Sequence, residues 1–157
     1  MFDKIIAFFV AIINFFLGLL GLGQIGGQEF NCQTFFDLQY GTHERQVVDL
    51  CIPEEASGDL GLVLFIHGGG WTSCDKSTHH PDCEHFCNLG YICATMNYRY
   101  VDEKTVVADE LDDITSALTT VKNVLAENGY NAKKLLLSGG SAGAHLALMY
   151  AYTRFSE

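Results

Sequence analysis

A serine lies at the centre of a glycine-rich pentapeptide, residues 139–143, which fits the pattern G-x-S-x-G around Ser141. The pattern is typical of a nucleophilic serine held on a tight turn between a strand and a helix. Side chains next to such a turn would collide with the strand and the helix, which explains the glycines at Gly139 and Gly143. The N–H of Ala142 would point at an oxygen that gains negative charge when the serine attacks a carbonyl.

A second glycine-rich loop, residues 67–71, reads His-Gly-Gly-Gly-Trp and directly follows the apolar run Leu62–Ile66. Three successive glycines are costly to order, so they favour a place where backbone N–H groups approach a ligand closely. A flexible connector remains an alternative. A phosphate-binding loop is disfavoured because the Lys-Ser/Thr ending is missing. If the two loops meet, the N–H groups of Gly69, Gly70 and Ala142 would surround one oxygen.

The elements around both loops predict an α/β fold with a mostly parallel sheet and helices on both faces. An opening strand pair is followed by alternating strands and helices. The predicted strands are Phe35–Tyr40, Gln46–Ile52, Leu62–Ile66, Tyr91–Met96 and Leu135–Leu137, with turns at Gly41-Thr42 and Gly58-Asp59. Three helices are predicted: one from near Pro81 to Gly90, one over Val106–Glu127 and one over Ala142–Tyr152. In such sheets ligands bind at the carboxyl ends of the strands, where both loops lie.

The chain resembles the hormone-sensitive-lipase-like branch of the α/β-hydrolases and related bacterial carbohydrate-ester esterases, from about residue 40 onward. The matching stretches are residues 67–71, 97–100, 112–113 and 139–147. The resemblance implies a serine carboxylic-ester hydrolase acting through an acyl-enzyme on small or acetyl-type esters, without a cofactor. It assigns Ser141 as the catalytic residue, Gly69, Gly70 and Ala142 as the oxyanion hole, and supporting roles to His67, Gly68, Trp71, Tyr98, Arg99, Asp113, Gly139, Gly143 and His145.

Two of these supporting assignments have an alternative. Arg99 and Asp113 would form an ion pair that braces the loop, or else a weak surface pair. Trp71 and Tyr98 would line a substrate pocket, or else pack against the sheet. The sequence does not decide between these options.

The family's acid and base, which follow the serine in the chain, have no counterpart here. His145 is the only histidine after Ser141, and a helix would hold the two side by side, so we expect a packing role for it. The resemblance implies that the C-terminal strands and the triad Asp and His are missing, that the chain is a truncated and nearly inactive portion, and that the strand around Leu136 is an exposed apolar edge. An amidase or peptidase on the same scaffold and a non-catalytic relic remain alternatives.

Residues 5–22 form an almost wholly apolar segment of a length close to the ~20 residues that span a bilayer. A membrane anchor or uncleaved signal, a cleaved signal peptide, and a helix packed on the domain or lying at the membrane surface are the three interpretations. We therefore expect an N-terminal helix and linker over residues 1–28 and an incomplete hydrolase domain over 29–157. A membrane-attached or secreted protein follows, with a cytoplasmic one as the alternative.

Composition narrows the partners and cofactors. The formal net charge is −10 and no basic cluster occurs, so nucleic-acid binding is not expected, because that requires neutralising phosphates. Six cysteines at irregular spacing are expected to be reduced thiols, with disulfides as the alternative. The His- and Cys-rich stretch 79–87 matches no closed zinc pattern, so no metal site is predicted.

Overall fold

The computed structural model describes residues 31–54, 57 and 60–154. Within these residues the chain forms strands β1 (Cys32–Gln39), β2 (Val47–Pro53), β3 (Leu60–Ile66), β4 (Ile92–Met96) and β5 (Ala132–Gly139), helices α1 (His80–Asn88), α2 (Val107–Glu127) and α3 (Ala142–Arg154), and a short 3₁₀ helix at Lys76–His79. Every predicted strand and helix in this part of the chain is present. Their ends differ from the predicted ones by a few residues, most at β5, which extends well beyond the apolar triplet 135–137.

The five strands form one mixed sheet in the order β1-β2-β4-β3-β5. The opening pair β1–β2 is antiparallel, and β2 also runs antiparallel to β4. The strands β4, β3 and β5 are parallel to one another. The parallel part carries the two glycine-rich loops, and β5 lies at one edge of the described sheet, opposite β1.

Alternating side chains of the sheet build one apolar layer on each face. Leu62, Leu64 and Ile66 of β3 face the larger layer, where the apolar stripe of α2 and one side of α3 are buried. Val63 and Phe65 face the smaller layer under α1. Helices therefore cover both faces of the sheet, which confirms the predicted α/β architecture.

The helices end where the sequence indicates. Pro81 lies in the first turn of α1, where a missing N–H costs nothing. The N–H of Val106 donates to Asp109 Oδ2 at 2.8 Å, which caps the start of α2. Gly90 and Gly129 have φ values of 89° and 79°, a left-handed conformation that suits glycine after a helix.

The structure corrects the expectation of reduced thiols. Cys32 and Cys87 form a disulfide that ties β1 to α1, and the other four cysteines are free. The pairing joins residues 55 positions apart, a separation at which sequence spacing carries no pairing signal.

Two predictions fall outside the described residues: the apolar segment 5–22 and the turn at residues 58–59. Among the helices that the structure describes, none combines the length and the apolar character that a bilayer crossing requires.

Candidate active site

Strand register brings the two glycine-rich loops together. Ile66, the last residue of β3, pairs with Gly139, the last residue of β5. The chains that follow both strands therefore leave the same sheet edge side by side. A Cβ on Gly68 would lie 2.9 Å from the carbonyl oxygen of Gly140 and 3.5 Å from Ser141 Cβ, so the first loop directly adjoins the serine.

The turn around Ser141 has the strained form that the motif implies. Ser141 has φ +53°, a left-handed conformation that is uncommon for a residue with a side chain. A Cβ on Gly143 would lie 2.0 Å from the carbonyl oxygen of Ile66, and one on Gly139 would lie 2.5 Å from the same atom. Both glycines therefore let the start of α3 pack directly on the end of β3, which leaves the Ser141 side chain exposed.

The 67–71 loop adopts conformations that need its glycines. Gly69 and Gly70 have φ values of 106° and 60°, and a Cβ on Gly69 would lie 2.1 Å from the carbonyl oxygen of Ser73. Within residues 31–54 and 60–154, the N–H groups of Gly69, Gly70 and Ala142 donate no hydrogen bond to the protein. Such amides are available to bind an oxyanion.

A buried pair, His67 and Tyr98, supports this loop from below. Their rings stack at a centroid distance of 4.3 Å, and neither has exposed surface. The Tyr98 hydroxyl donates to the carbonyl oxygens of His67 at 2.8 Å and Gly68 at 3.1 Å. Burial raises the pKa of the Tyr98 hydroxyl and lowers the pKa of His67, which favours the neutral form of both rings. Because Tyr98 is buried, it packs beneath the loop and does not line a substrate pocket.

Trp71 and His145 contact each other at the open side of the loop. The Trp71 indole Nε1 donates to His145 Nδ1 at 3.3 Å, and the rings meet edge to face at 5.4 Å. His145 Nδ1 is therefore occupied as an acceptor. The contact links α3, which begins after Ser141, to the end of the glycine run.

Arg99, which is half-buried, forms an ion pair with the buried carboxylate of Asp113. Asp113 is 1% exposed and accepts from Arg99 Nη2 at 2.8 Å and from the Arg99 backbone N–H at 2.9 Å. Gln46 Nε2 also donates to Asp113, at 2.8 Å. The pair ties the segment after β4 to α2 and to the start of β2, so it is not a surface pair.

Sequence reasoning missed most of the residues that anchor the segment following the 67–71 loop. The Lys76 ammonium is buried and contacts Asp49 Oδ2 at 2.7 Å and Asp37 Oδ1 at 3.0 Å. Asn97 Oδ1 accepts from the Lys76 backbone N–H at 2.7 Å. Arg45, in the turn between β1 and β2, contacts the loop from the other side. The charged residues among them are single charges on distant segments that no motif marks, whereas Asn97 lies in the stretch 97–100 that matches the family.

All six histidines of the sequence lie in the described part of the chain, and none of them hydrogen-bonds to Ser141 Oγ there. The histidine-rich segment before α1 is engaged elsewhere. His79 pairs with Asp82 at 2.7 Å and His80 with Asp49 at 2.7 Å. No cluster of three or more potential metal-ligating side chains occurs among the residues that the structure describes.

The sequence model of the BD-FAE family matches residues 48–157, which is more than half of the chain. The chain belongs to the BD-FAE family of α/β-hydrolases. It is 35% identical over 100 residues to the probable carboxylic ester hydrolase LipM of Mycobacterium tuberculosis, which aligns 63% of this chain with 23% of LipM.

Solved structures of esterases share the fold. The crystal structure of esterase B from Lactobacillus rhamnosis, inhibited by a C4-C4 tributyrin phosphonate, matches with a TM-score of 0.68 and 25% identity over 80% of this chain and 41% of that one. Esterase 2 of Thermogutta terrifontis, phosphorylated by paraoxon, matches with a TM-score of 0.58 and 30% identity over 74% of this chain and 45% of that one. This BD-FAE chain therefore spans less than half the length of each of these proteins.

Proposed function

We propose that this chain carries the nucleophile and the oxyanion hole of a serine carboxylic-ester hydrolase that forms an acyl-enzyme. One observation carries the proposal: Ser141, exposed and with φ +53°, adjoins a loop whose amides have no acceptor in the described protein. Ser141 Oγ would attack the ester carbonyl, and its proton would pass to a base and then to the leaving alcohol. The amides of Gly69, Gly70 and Ala142 would stabilise the charge that develops on the carbonyl oxygen.

Short acyl groups are the proposed substrates. Esterase B is a relative whose inhibitor is described as a C4 tributyrin phosphonate, and LipM is named as a carboxylic ester hydrolase. The phosphorylation of Thermogutta esterase 2 by paraoxon supports the acyl-enzyme route, because organophosphates form covalent adducts with activated nucleophiles.

We further infer that residues 1–157 alone turn over esters slowly. None of the six histidines bonds to Ser141 within the described structure, and His145, the one nearest in sequence, accepts a hydrogen bond from Trp71. A serine without a base is a weak nucleophile. Enzymes that lose their triad retain only about 10³–10⁴-fold acceleration over water, from the oxyanion hole and binding.

Chemical rescue tests both parts of this proposal. The purified chain is incubated with p-nitrophenyl acetate, with and without free imidazole, and is separately treated with a fluorophosphonate probe. Imidazole should accelerate acylation in the wild-type chain above the background reaction, and mass spectrometry should locate the adduct on Ser141. Ser141→Ala should abolish both effects, whereas Ser116→Ala on α2 should leave them unchanged.

Three outcomes would contradict the proposal. An adduct on another residue, or equal imidazole-dependent rates in the wild type and Ser141→Ala, would exclude Ser141 as the nucleophile. Fast turnover without imidazole would contradict the inferred lack of a base. A parallel assay with p-nitroacetanilide separates ester from amide hydrolysis.

A further inference from the structure

Arg45 contacts three segments that meet beneath the 67–71 loop. Its Nε donates to the carbonyl oxygen of Tyr98 at 2.9 Å, and its Nη2 lies 3.3 Å from the carbonyl oxygen of Cys74. The same Nη2 lies 3.3 Å from His67 Nε2. The guanidinium carbon stands 3.7 Å above the centre of the Tyr100 ring. One half-buried side chain thus joins the residues after β3, the residues after β4 and the end of the loop.

The contacts at the two ring nitrogens of His67 indicate together which of them carries the proton. A guanidinium has only donors, so His67 Nε2 must accept and must be unprotonated. The ring proton therefore lies on Nδ1, which donates to the carbonyl oxygen of Gly68 at 2.7 Å. A charged imidazole would direct an N–H at the guanidinium, so Arg45 also disfavours protonation.

The charged and titratable groups around His67 are few. Arg45 contacts the Nε2 atom of His67, and the Tyr98 ring stacks on the face of the imidazole. Asp75 and His79 act on the imidazole electrostatically. Burial, Arg45 and His79 lower the pKa of His67, whereas the hydrogen bond to the Gly68 carbonyl and the charge of Asp75 raise it, and the lowering effects are larger. The neutral form with the proton on Nδ1 is thus the form that this environment selects.

The Nδ1 proton in turn orients an amide of the loop. The Gly68 carbonyl oxygen accepts from His67 Nδ1 and from the Tyr98 hydroxyl at 3.1 Å, so it points toward the buried side. A trans peptide is planar, and its N–H points away from its C=O. The N–H of Gly69, in the same peptide, therefore points away from the buried Tyr98 hydroxyl, toward the open side of the loop.

We propose that Arg45 is a positioning residue: it holds His67 in the Nδ1-protonated tautomer and so fixes the direction of the Gly69 N–H. The meaning of this for catalysis rests on the proposed function, but the tautomer itself does not. Arginine suits this position because its planar fork directs Nε at Tyr98 and Nη2 at His67 and Cys74 while it stacks on Tyr100, and a compact ammonium cannot span these sites in one fixed plane.

Ring-nitrogen NMR of His67 tests the proposal without any activity. In the ¹⁵N-labelled chain, His67 should show a protonated Nδ1 and an unprotonated Nε2. Arg45→Met should move His67 toward the Nε2-protonated tautomer, which predominates for free imidazole side chains, and Arg45→Lys should give a mixture. Arg154→Met, which removes an exposed arginine at the end of α3 that pairs with Asp112, should leave the His67 signals unchanged.

Phosphonylation of Ser141 supplies the second readout. Loss of one oxyanion donor typically costs about 10²–10³ in rate, so Arg45→Met should slow labelling by at least about tenfold, and Arg45→Lys by less. Absence of labelling in the wild type would count against the proposed function only, because the NMR result still decides the role of Arg45. The proposal is overturned if His67 keeps the Nδ1 proton in both Arg45 variants. If Arg45→Met does not fold, the proposal is overturned when Arg45→Lys gives the same result as Arg154→Met in both readouts.

Discussion

Glu110 carries a carboxyl group in the core without a hydrogen-bond partner in the described structure, and from this we predict a specific pH dependence of stability. The residue lies in the first turn of α2, has no exposed surface, and neither carboxyl oxygen has a hydrogen-bond partner in the described structure. Burial, followed by the charges of Asp113 and Asp109, raises the pKa of Glu110 from 4.5 to about 8. An ionised carboxylate at this position would be strongly unfavourable.

The sign follows from proton linkage. Between the ordinary pKa of 4.5 and the folded pKa of about 8, the folded chain keeps a proton that the unfolded chain loses. The free energy of unfolding therefore falls as pH rises through this window and levels off above it. A shift of this size corresponds to about 5 kcal/mol at one unit per 1.36 kcal/mol. We take this as the upper bound, because a local opening that hydrates the carboxylate would reduce it.

Glu110→Gln isolates this contribution. Glutamine has nearly the shape of a protonated glutamate and does not ionise, so the variant and the wild type should have similar stability near pH 5 and diverge by several kcal/mol, up to about 5 kcal/mol, near pH 9. The assay is urea unfolding across this pH range. The variant's free energy of unfolding is compared with its own value near pH 5, which cancels the cost of burying the amide. Glu127→Gln at the exposed end of α2 is the matched control. If the two pH profiles of Glu110→Gln and wild type run parallel, Glu110 does not titrate as its burial requires.

Three further perturbations have expected outcomes. Gly143→Ala, whose Cβ would meet backbone at 2.0 Å, should lower the free energy of unfolding by about 3 kcal/mol, whereas Gly140→Ala, which meets nothing within 4 Å, should cost far less in the same urea titration. Asp113→Asn should lower the free energy of unfolding by about 3 kcal/mol because it leaves the charged Arg99 without an opposite charge. A loss below about 1 kcal/mol would mark the pair as a surface contact. Reduction of the Cys32–Cys87 disulfide, which closes a separation of 55 residues, should cost about 4 kcal/mol, and an unchanged urea midpoint in reductant would contradict this.

Much of this fold could be predicted from local sequence, because its signals are short-range. Buried parallel strands appear as continuous apolar runs such as 62–66, and α2 shows its apolar face at helical spacing. The two glycine motifs carry their own geometric reason, since a side chain at Gly143 or Gly69 would collide with backbone, and the positive φ angles at Gly69 and Gly70 favour glycine. Their meeting at one sheet edge follows from the general rule that parallel strands end together.

The rest of the site could not be predicted, because it depends on contacts between distant segments. Arg45 reaches His67 across 22 residues and Tyr98 across 53, and the burial of Glu110 is invisible in a helix start where acidic residues are otherwise favoured. The disulfide was missed for the same reason, since a pairing depends on how β1 and α1 pack. In each case the residue type is ordinary, and only the fold makes its position unusual.

Few contacts hold Ser141 in position, although the motif around it is a specific one. Its strand, β5, has one paired neighbour in the described sheet, β3, and the turn itself is strained. The glycines of the motif therefore contribute more than freedom at the turn: through Gly139 and Gly143, backbone packs directly on the carbonyl oxygen of Ile66 and adds a second attachment at the strand end. Because the 67–71 loop begins one residue after Ile66, the same contact sets the distance between the serine and the loop amides. The two motifs thus act as one unit, and a side chain at position 143 would push the turn that carries Ser141 away from the loop amides that we propose to bind the oxyanion.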